Sequence, residues 1–323
     1  MSVFKNYKSI ALPGKRVKWL LQSVVLFCGL QIICPAIYAQ TDEKLTTKLQ
    51  ELISGFKGTV GVYVQHLKTG RTAAVNADTL FPTASMIKVS IQCGVMDKIE
   101  KGELQYNQKL VYRDSLLYAG EDILGSFKNG DTIQLSKVAL LMITLSDNTA
   151  SLWLQGLVGG DYVNNWLQQN GIEHMRVNSR VVGREDVRKM YGWGVTTPAD
   201  MCRLFTLIDQ GKAVSEAASE RMSRNLGRIY WDETALSEIP PYIQTLSKQG
   251  AVDDSRSETV LVHAPHGSYV FSIITKNIKD QSWKPQNESW SLIKKVSALL
   301  WHYYEPKNKW QPSRGIDKYM LNE

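Results

Sequence analysis

The sequence predicts a mixed α/β fold of the α+β kind, an antiparallel sheet flanked by terminal helices on one face plus an all-helical subdomain that interrupts it. Three observations predict it. Strand-like segments occur near the two ends of the chain, at Thr59–His66 and again after about Ile243. Helical patterns dominate the stretch between, about 83–212. Amphipathic helical segments bracket the whole, at residues 42–57 and about Glu288–Tyr304.

Residues 42–57 read as a helix that ends near Gly58. Thr59 to His66 alternates apolar and polar residues as a strand does, turns at Lys68-Thr69-Gly70, and is followed by a second strand at about 71–76. Pro82 and Thr83 supply a helix start. Beyond them Ile87, Ile91, Val95 and Ile99 recur every four residues and form an apolar stripe. Glycines at 102, 120, 130, 159, 160 and 171 break the helical stretch. Thr259–Val262 and Tyr269–Thr275 are rich in β-branched and aromatic residues and flank the turn Pro265-His266-Gly267. The last helix carries Leu292, Ile293, Val296, Leu299, Leu300 and Tyr303 on its apolar face. Residues 305–323 read as a polar tail, and no internal repeat appears.

The first 39 residues read as a secretory signal: Lys5, Lys8, Lys15, Arg16 and Lys18 precede a mostly apolar run from Leu20 to Cys34, with Ala39 before the expected cleavage point. Gln22, Ser23 and Gln31 interrupt that run, which argues against a stable membrane span. Bulky Phe27 argues against lipid attachment at Cys28. The mature protein is therefore expected in the periplasm or secreted, as a monomer, touching a membrane only through an uncleaved N-terminal segment. The net charge of +7 is mostly this segment's, because its removal leaves 33 basic against 31 acidic residues. Nothing in that balance points to a nucleic-acid partner. Cys93 and Cys202 remain, both on helical segments, and read as unpaired core thiols. His263 and His266 read as surface residues of a turn, and no histidine pattern indicates a metal or cofactor.

From Phe81 to Met96 the only charged residue is Lys88, one helical turn beyond Ser85. A buried ammonium is costly and tends to shed its proton. A neutral amine beside a hydroxyl is a general base beside a nucleophile. Taken alone the pattern is weak, since a lysine can snorkel from a core helix to water. Ser-x-x-Lys occurs four times, starting at Ser2, Ser54, Ser85 and Ser291. Ser146-Asp147-Asn148 occurs once, 61 residues after Ser85, and by itself could be a capped turn between helices. Lys248-Gln249-Gly250 follows about a hundred residues later, whereas the literal Lys68-Thr69-Gly70 precedes Ser85.

Only the set Ser85-x-x-Lys88, Ser146-Asp147-Asn148 and Lys248-Gln249-Gly250 stands in the order and at the distances of a known family. That set resembles the three-motif signature of the penicillin-recognising serine hydrolases, most closely the class A β-lactamases. The resemblance covers nearly all of residues 40–304 and extends to Phe81-Pro82, Thr149-Ala150, Gly159-Gly160 and Thr196-Thr197-Pro198. It implies a β-lactamase/transpeptidase-like fold acting on a small β-lactam or peptidoglycan-peptide substrate. It further implies Ser85 as nucleophile, Lys88 as proton acceptor and Ser146 as proton relay to the leaving nitrogen. Asn148 would hold Lys88 and the substrate amide, and Lys248 with Gln249 and Gly250 the substrate carboxylate. The N–H groups of Ser85 and Ala251 would form the oxyanion hole, and Arg256 would assist the carboxylate or stand solvated.

Two departures qualify the resemblance. Gln249 stands where the family has threonine or serine. The family's Arg-x-Glu-x-x-x-Asn segment, whose glutamate activates the deacylating water, maps onto Arg180, Val182 and Asp186. Glu185 and Asp186 are the nearest carboxylates, and each reads either as a relocated base or as a solvated charge beside Arg184 and Arg188. The leading expectation is an exported serine β-lactamase that hydrolyses slowly. The alternatives are a D-alanyl-D-alanine peptidase or esterase of the same fold, and a β-lactam-binding sensor.

Overall fold

The computed structural model describes residues 40–118 and 122–319. The expected signal segment at 1–39 and the expected break at Gly120 lie outside these residues.

The chain opens with helix α1 (Glu43–Ile53), whose Asp42 caps it by accepting from Leu45 N at 3.1 Å. It ends at Ile53, short of the expected Gly58, because the segment after it turns directly into the first strand. Strands β1 (Thr59–His66) and β2 (Thr72–Val75) form the expected hairpin. After β3 (Phe81–Pro82) a 3₁₀ turn, Ala84–Ile87, leads into α2 (Lys88–Glu100). Next come β4 (Lys109–Val111), β5 (Thr132–Gln134), α3 (Leu135–Thr144), α4 (Asn148–Val158), α5 (Gly160–Gln169), β6 (Arg176–Val177), α6 (Glu185–Tyr191) and β7 (Gly194–Thr196). Helices α7 (Pro198–Asp209) and α8 (Glu216–Leu226) follow, so the helical stretch runs past the expected limit near residue 212. The sheet is completed by β8 (Thr245–Val252), β9 (Ser255–Val262) and β10 (Tyr269–Lys276), and α9 (Glu288–Tyr304) closes the fold.

The main sheet has the order β2-β1-β10-β9-β8, antiparallel throughout. Both faces are covered, so period-2 alternation separates two apolar clusters rather than core from solvent. Val260, Val262, Phe271 and Ile273 join Leu45, Leu49 and Trp301 beneath α1 and α9. Leu261, Val270 and Ile274 join the helical side with Met86, Met201 and Phe205. β9 is buried along its whole length, including Arg256 and Glu258. β8 is the outer strand, open to the cleft between sheet and helical subdomain.

The expected single apolar stripe on α2 is replaced by burial all round: every residue from Lys88 to Met96 is buried. The helix threads the helical subdomain, with α3, α4, α5 and α8 packed against it. Gly94 permits the approach of α5, because a Cβ there would lie 2.8 Å from Val163 Cγ2. Cys93 and Cys202 are buried free thiols. His266 is exposed and pairs with buried Glu305, whereas His263 is half-buried beside Asp209 at 3.3 Å. Among the described residues no helix is long and apolar enough to cross a membrane.

Candidate active site

The 3₁₀ turn before α2 sets the first part of the site. In a 3₁₀ helix, side chains three apart eclipse, so Ser85 and Lys88 stack on one face. Thr83, Ala84, Met86 and Ile87 are all buried, and Ser85 is the residue of this turn that reaches the cavity. Ala84 has φ 43° and Ser146 φ 61°, left-handed conformations that non-glycine residues adopt at a cost and that cluster at functional sites.

Lys88 is fully buried. Its ammonium donates to the Ser146 carbonyl, to Ser146 Oγ at 3.1 Å and to Asn148 Oδ1 at 2.7 Å. Burial pulls its pKa down to about 7, against the opposing charges of Asp122 and Asp147. Lys248 is equally buried and donates to Ser146 Oγ at 3.0 Å and to Gln249 Oε1 at 3.0 Å. Burial first and the neighbouring Lys88 second hold its pKa well below the usual lysine range, and Glu258 opposes them. Two lysines therefore converge on one hydroxyl, that of Ser146.

The Ser146-Asp147-Asn148 turn opens α4, and two carboxylates satisfy its first N–H groups. Asp147 accepts from Ala150 N at 2.7 Å and Leu124 N at 3.0 Å. Asp122 accepts from Asn148 N and Thr149 N, both at 2.8 Å, and from Thr149 Oγ1 at 2.9 Å. Gly250 brings β8 against the serine turn, since a Cβ there would lie 2.6 Å from the Thr83 carbonyl. Gly250, Ala251 and Gln249 line the same cavity, of about 550 Å³, as Ser85, Ser146 and Asn148.

Lys88 and Lys248 reach the cavity through Ser146, whereas Arg256, Glu185 and Asp186 are not brought to the site. Arg256 faces α9, fully buried, donating to the Ser255 carbonyl at 3.0 Å and stacked on Trp283 and Trp290 at 4.2 and 4.9 Å. Strand register explains this: Arg256 pairs with Ala251 on the face opposite Lys248 and Gly250. Glu185 and Asp186 begin α6 in solvent; Glu185 accepts from Gly183 N at 3.2 Å, and Asp186 pairs with Lys189 at 3.0 Å. The cause is the preceding turn. Val181 packs onto Gly160, Arg180 donates to the Leu152 carbonyl at 3.1 Å, and Val182 is left 90% exposed. The residue that faces Lys88 from this loop is Trp193, its ring centroid 5.8 Å from the ammonium and edge-on to Tyr118.

Asp122, Trp193 and Glu258 carry no motif and escape sequence reasoning. Glu258 lies in a strand buried on both faces and accepts from Thr234 Oγ1 at 2.6 Å, Ser247 Oγ at 2.7 Å and Ala235 N at 2.8 Å. Burial raises its pKa, which these donors and Lys248 partly offset. Glu258→Gln is expected to cost about 1–3 kcal/mol, because an amide cannot accept all three donors. The shift in the urea midpoint measures it, and an unchanged midpoint would show that Glu258 anchors nothing.

Residues 44–304 match the model of the Beta-lactamase enzyme family. The chain is 24% identical over 299 residues to beta-lactamase VEB-1 of Pseudomonas aeruginosa, across 87% of this chain and 97% of that protein. A variant of PBP-A, solved as an acyl-enzyme complex with penicillin G, superposes with a TM-score of 0.74 at 25% identity, over 83% of this chain and 98% of that one. A beta-lactamase from Chitinophaga pinensis shares the fold at a TM-score of 0.72 and 22% identity, over 80% of this chain and 99% of that one. With the motifs assembled on this fold and the family matched across most of its length, the chain belongs to the beta-lactamase enzyme family.

Proposed function

We propose that this protein is an exported serine hydrolase that β-lactams acylate at Ser85 and from which the product leaves slowly. The observation that carries the reading is the convergence of Lys88 and Lys248 on Ser146 Oγ beside Ser85. In its neutral form Lys88 takes the Ser85 proton, and Ser85 Oγ bonds to the lactam carbonyl carbon. The N–H groups of Ser85 and Ala251 receive the developing oxyanion; one such donor is typically worth ~3 kcal/mol. Ser146 passes a proton to the ring nitrogen as the C–N bond breaks, and Lys88 returns to Ser146 the proton taken from Ser85 while Lys248 holds the Ser146 oxygen. Asn148 holds Lys88 and the substrate amide. Lys248 and Gln249 receive the carboxylate, with a longer reach than a hydroxyl residue at Gln249 would give. The acyl-enzyme complex of the PBP-A variant with penicillin G supports this direction of chemistry.

Slow release is inferred from Trp193 and Val182. The residue of this loop that meets Lys88 is an indole, which can accept no proton from water, and Val182, at the family's glutamate position, points to solvent. A general base is typically worth a hundred- to ten-thousandfold. Stopped-flow hydrolysis should therefore show a burst of product equal to the enzyme concentration, then a slow phase. Glu185→Gln and Asp186→Asn should change neither phase. Fast turnover without a burst would refute slow release, and its collapse in Asp122→Asn or Glu233→Gln, the carboxylates that line the cavity, would locate the base instead.

A further inference from the structure

The cavity that opens at Ser85 does not end at the reacting serine. β8 is the outer strand of the sheet and its side chains alternate between two faces. Lys248 and Gly250 face the helical subdomain, where Lys248 meets Ser146. Gln249 and Ala251 lie on the other face, in register with Glu258 and Arg256, toward α9. The cavity passes over this edge and continues to the start of α9, where Trp283, Pro285, Trp290 and Lys294 line it, while Trp231 lines it beside Leu145 and Ser146.

The aromatic walls of this extension are fixed. Trp231 Nε1 donates to the Leu145 carbonyl at 2.9 Å, and Trp283 Nε1 donates to Asp253 Oδ1 at 3.1 Å. Trp283 and Trp290 meet edge to face at 6.0 Å and share the Arg256 guanidinium as a backing. Arg256 in turn is tied to the carbonyls of Ser255 and Ser282, at 3.0 and 3.3 Å. With the N–H groups of Trp231 and Trp283 held by the protein, what those two indoles leave to the cavity is their carbon framework. Trp283 keeps 40% of its surface exposed. A flat apolar group laid there would remove that surface from water.

We propose that this tryptophan-walled extension is a substrate subsite for a flat aromatic substituent carried beside the carboxylate-bearing atom, on the side of the substrate that lies over Gln249. The orientation of the substrate rests on the acyl-transfer reading of Ser85; the cleft and its chemistry do not. Lys294, half-buried at the rim, favours a ring whose outer edge carries an acceptor such as a nitro or carboxylate group.

The test separates binding from chemistry by using the full chain carrying Ser85→Ala. Two cephalosporins are compared that share one acylamino side chain. One carries a methyl and the other a nitro-substituted styryl group on the ring carbon next to the carboxylate-bearing carbon. Calorimetry, with quenching of indole fluorescence, should show the styryl compound binding roughly tenfold tighter or better. Adding Trp283→Ala should bring the two compounds to equal affinity while leaving the methyl compound unchanged. Because Trp283 also covers Arg256, Lys294→Trp provides a second variant that fills the cleft from α9, one turn beyond Trp290; it too should remove the preference. Equal affinity of the two compounds for the unfilled cleft overturns the proposal, as does a parallel loss for both compounds in both variants. Failure of the unsubstituted serine enzyme to acylate would overturn the acyl-transfer reading instead, and would leave the difference in binding standing.

Discussion

Ser85→Ala is expected to abolish covalent labelling by a fluorescent penicillin while the protein keeps its fold. Ser85 is the residue of the 3₁₀ turn that reaches the cavity, with buried neighbours on both sides and Lys88 eclipsed one turn on. Ser146 and Ser257 also line the cavity, but their hydroxyls are committed: Ser146 Oγ to two lysines, Ser257 Oγ to the Gly250 carbonyl at 3.2 Å. Removing one hydroxyl from a half-buried position typically changes stability by about 1 kcal/mol or less. An unchanged thermal midpoint with no label is the expected pair of results. Labelling that persists, or that maps to Ser146, would remove Ser85 from the role.

Lys88→Ala is expected to slow acylation roughly a hundredfold to ten-thousandfold, whereas Lys68→Ala, on the exposed hairpin turn, should leave it unchanged. The two lysines differ in burial, and burial decides the chemistry. With its pKa lowered to about 7, Lys88 has a substantial neutral fraction near neutrality. The sign follows from which form is the base. Below about pH 7 the ammonium predominates and cannot accept the Ser85 proton, so the acylation rate of the unsubstituted protein should fall as pH drops. Above that pH it should level off. The inflection should vanish in Lys88→Ala. Equal rates for the two alanine variants would show that the proton is taken elsewhere.

The fold was legible where periodicity and punctuation agree. β1 and α9 match their expected limits, Thr59–His66 and Glu288–Tyr304, because a clean alternation and a continuous apolar face define them. α8 escaped because it is mostly polar, and two of its five buried residues, Ser219 and Asn225, are polar themselves. The first half of β9 escaped because Ser255-Arg256-Ser257-Glu258 looks like solvated polar chain, and only the fold shows those groups paired inside the protein. Within the candidate site, Ser85, Lys88, Ser146, Asn148 and Lys248 were legible as motifs, because their order and spacing along the chain resemble a known family's signature. Asp122, Trp193 and the wall formed by Trp283 and Trp290 were not legible. Their positions depend on where irregular loops return to the cavity, and no local spacing records that. Glu185 and Asp186 mark the opposite limit. Proximity in sequence to the expected base position did not survive the turn at Arg180 and Val181, which aims the following residues outward.

Intact-protein mass spectrometry, sampled over time after mixing with a penicillin, tests most directly the claim that Ser85 is acylated and Trp193 leaves the acyl-enzyme without an activated water. One penicillin mass should appear on essentially every molecule, map to the peptide containing Ser85, and decay over a period far longer than its formation. Rapid return to the unmodified mass with sustained hydrolysis would contradict the account of release. Hydrolysis with no adduct at any time, or an adduct on a peptide lacking Ser85, would contradict the account of the nucleophile.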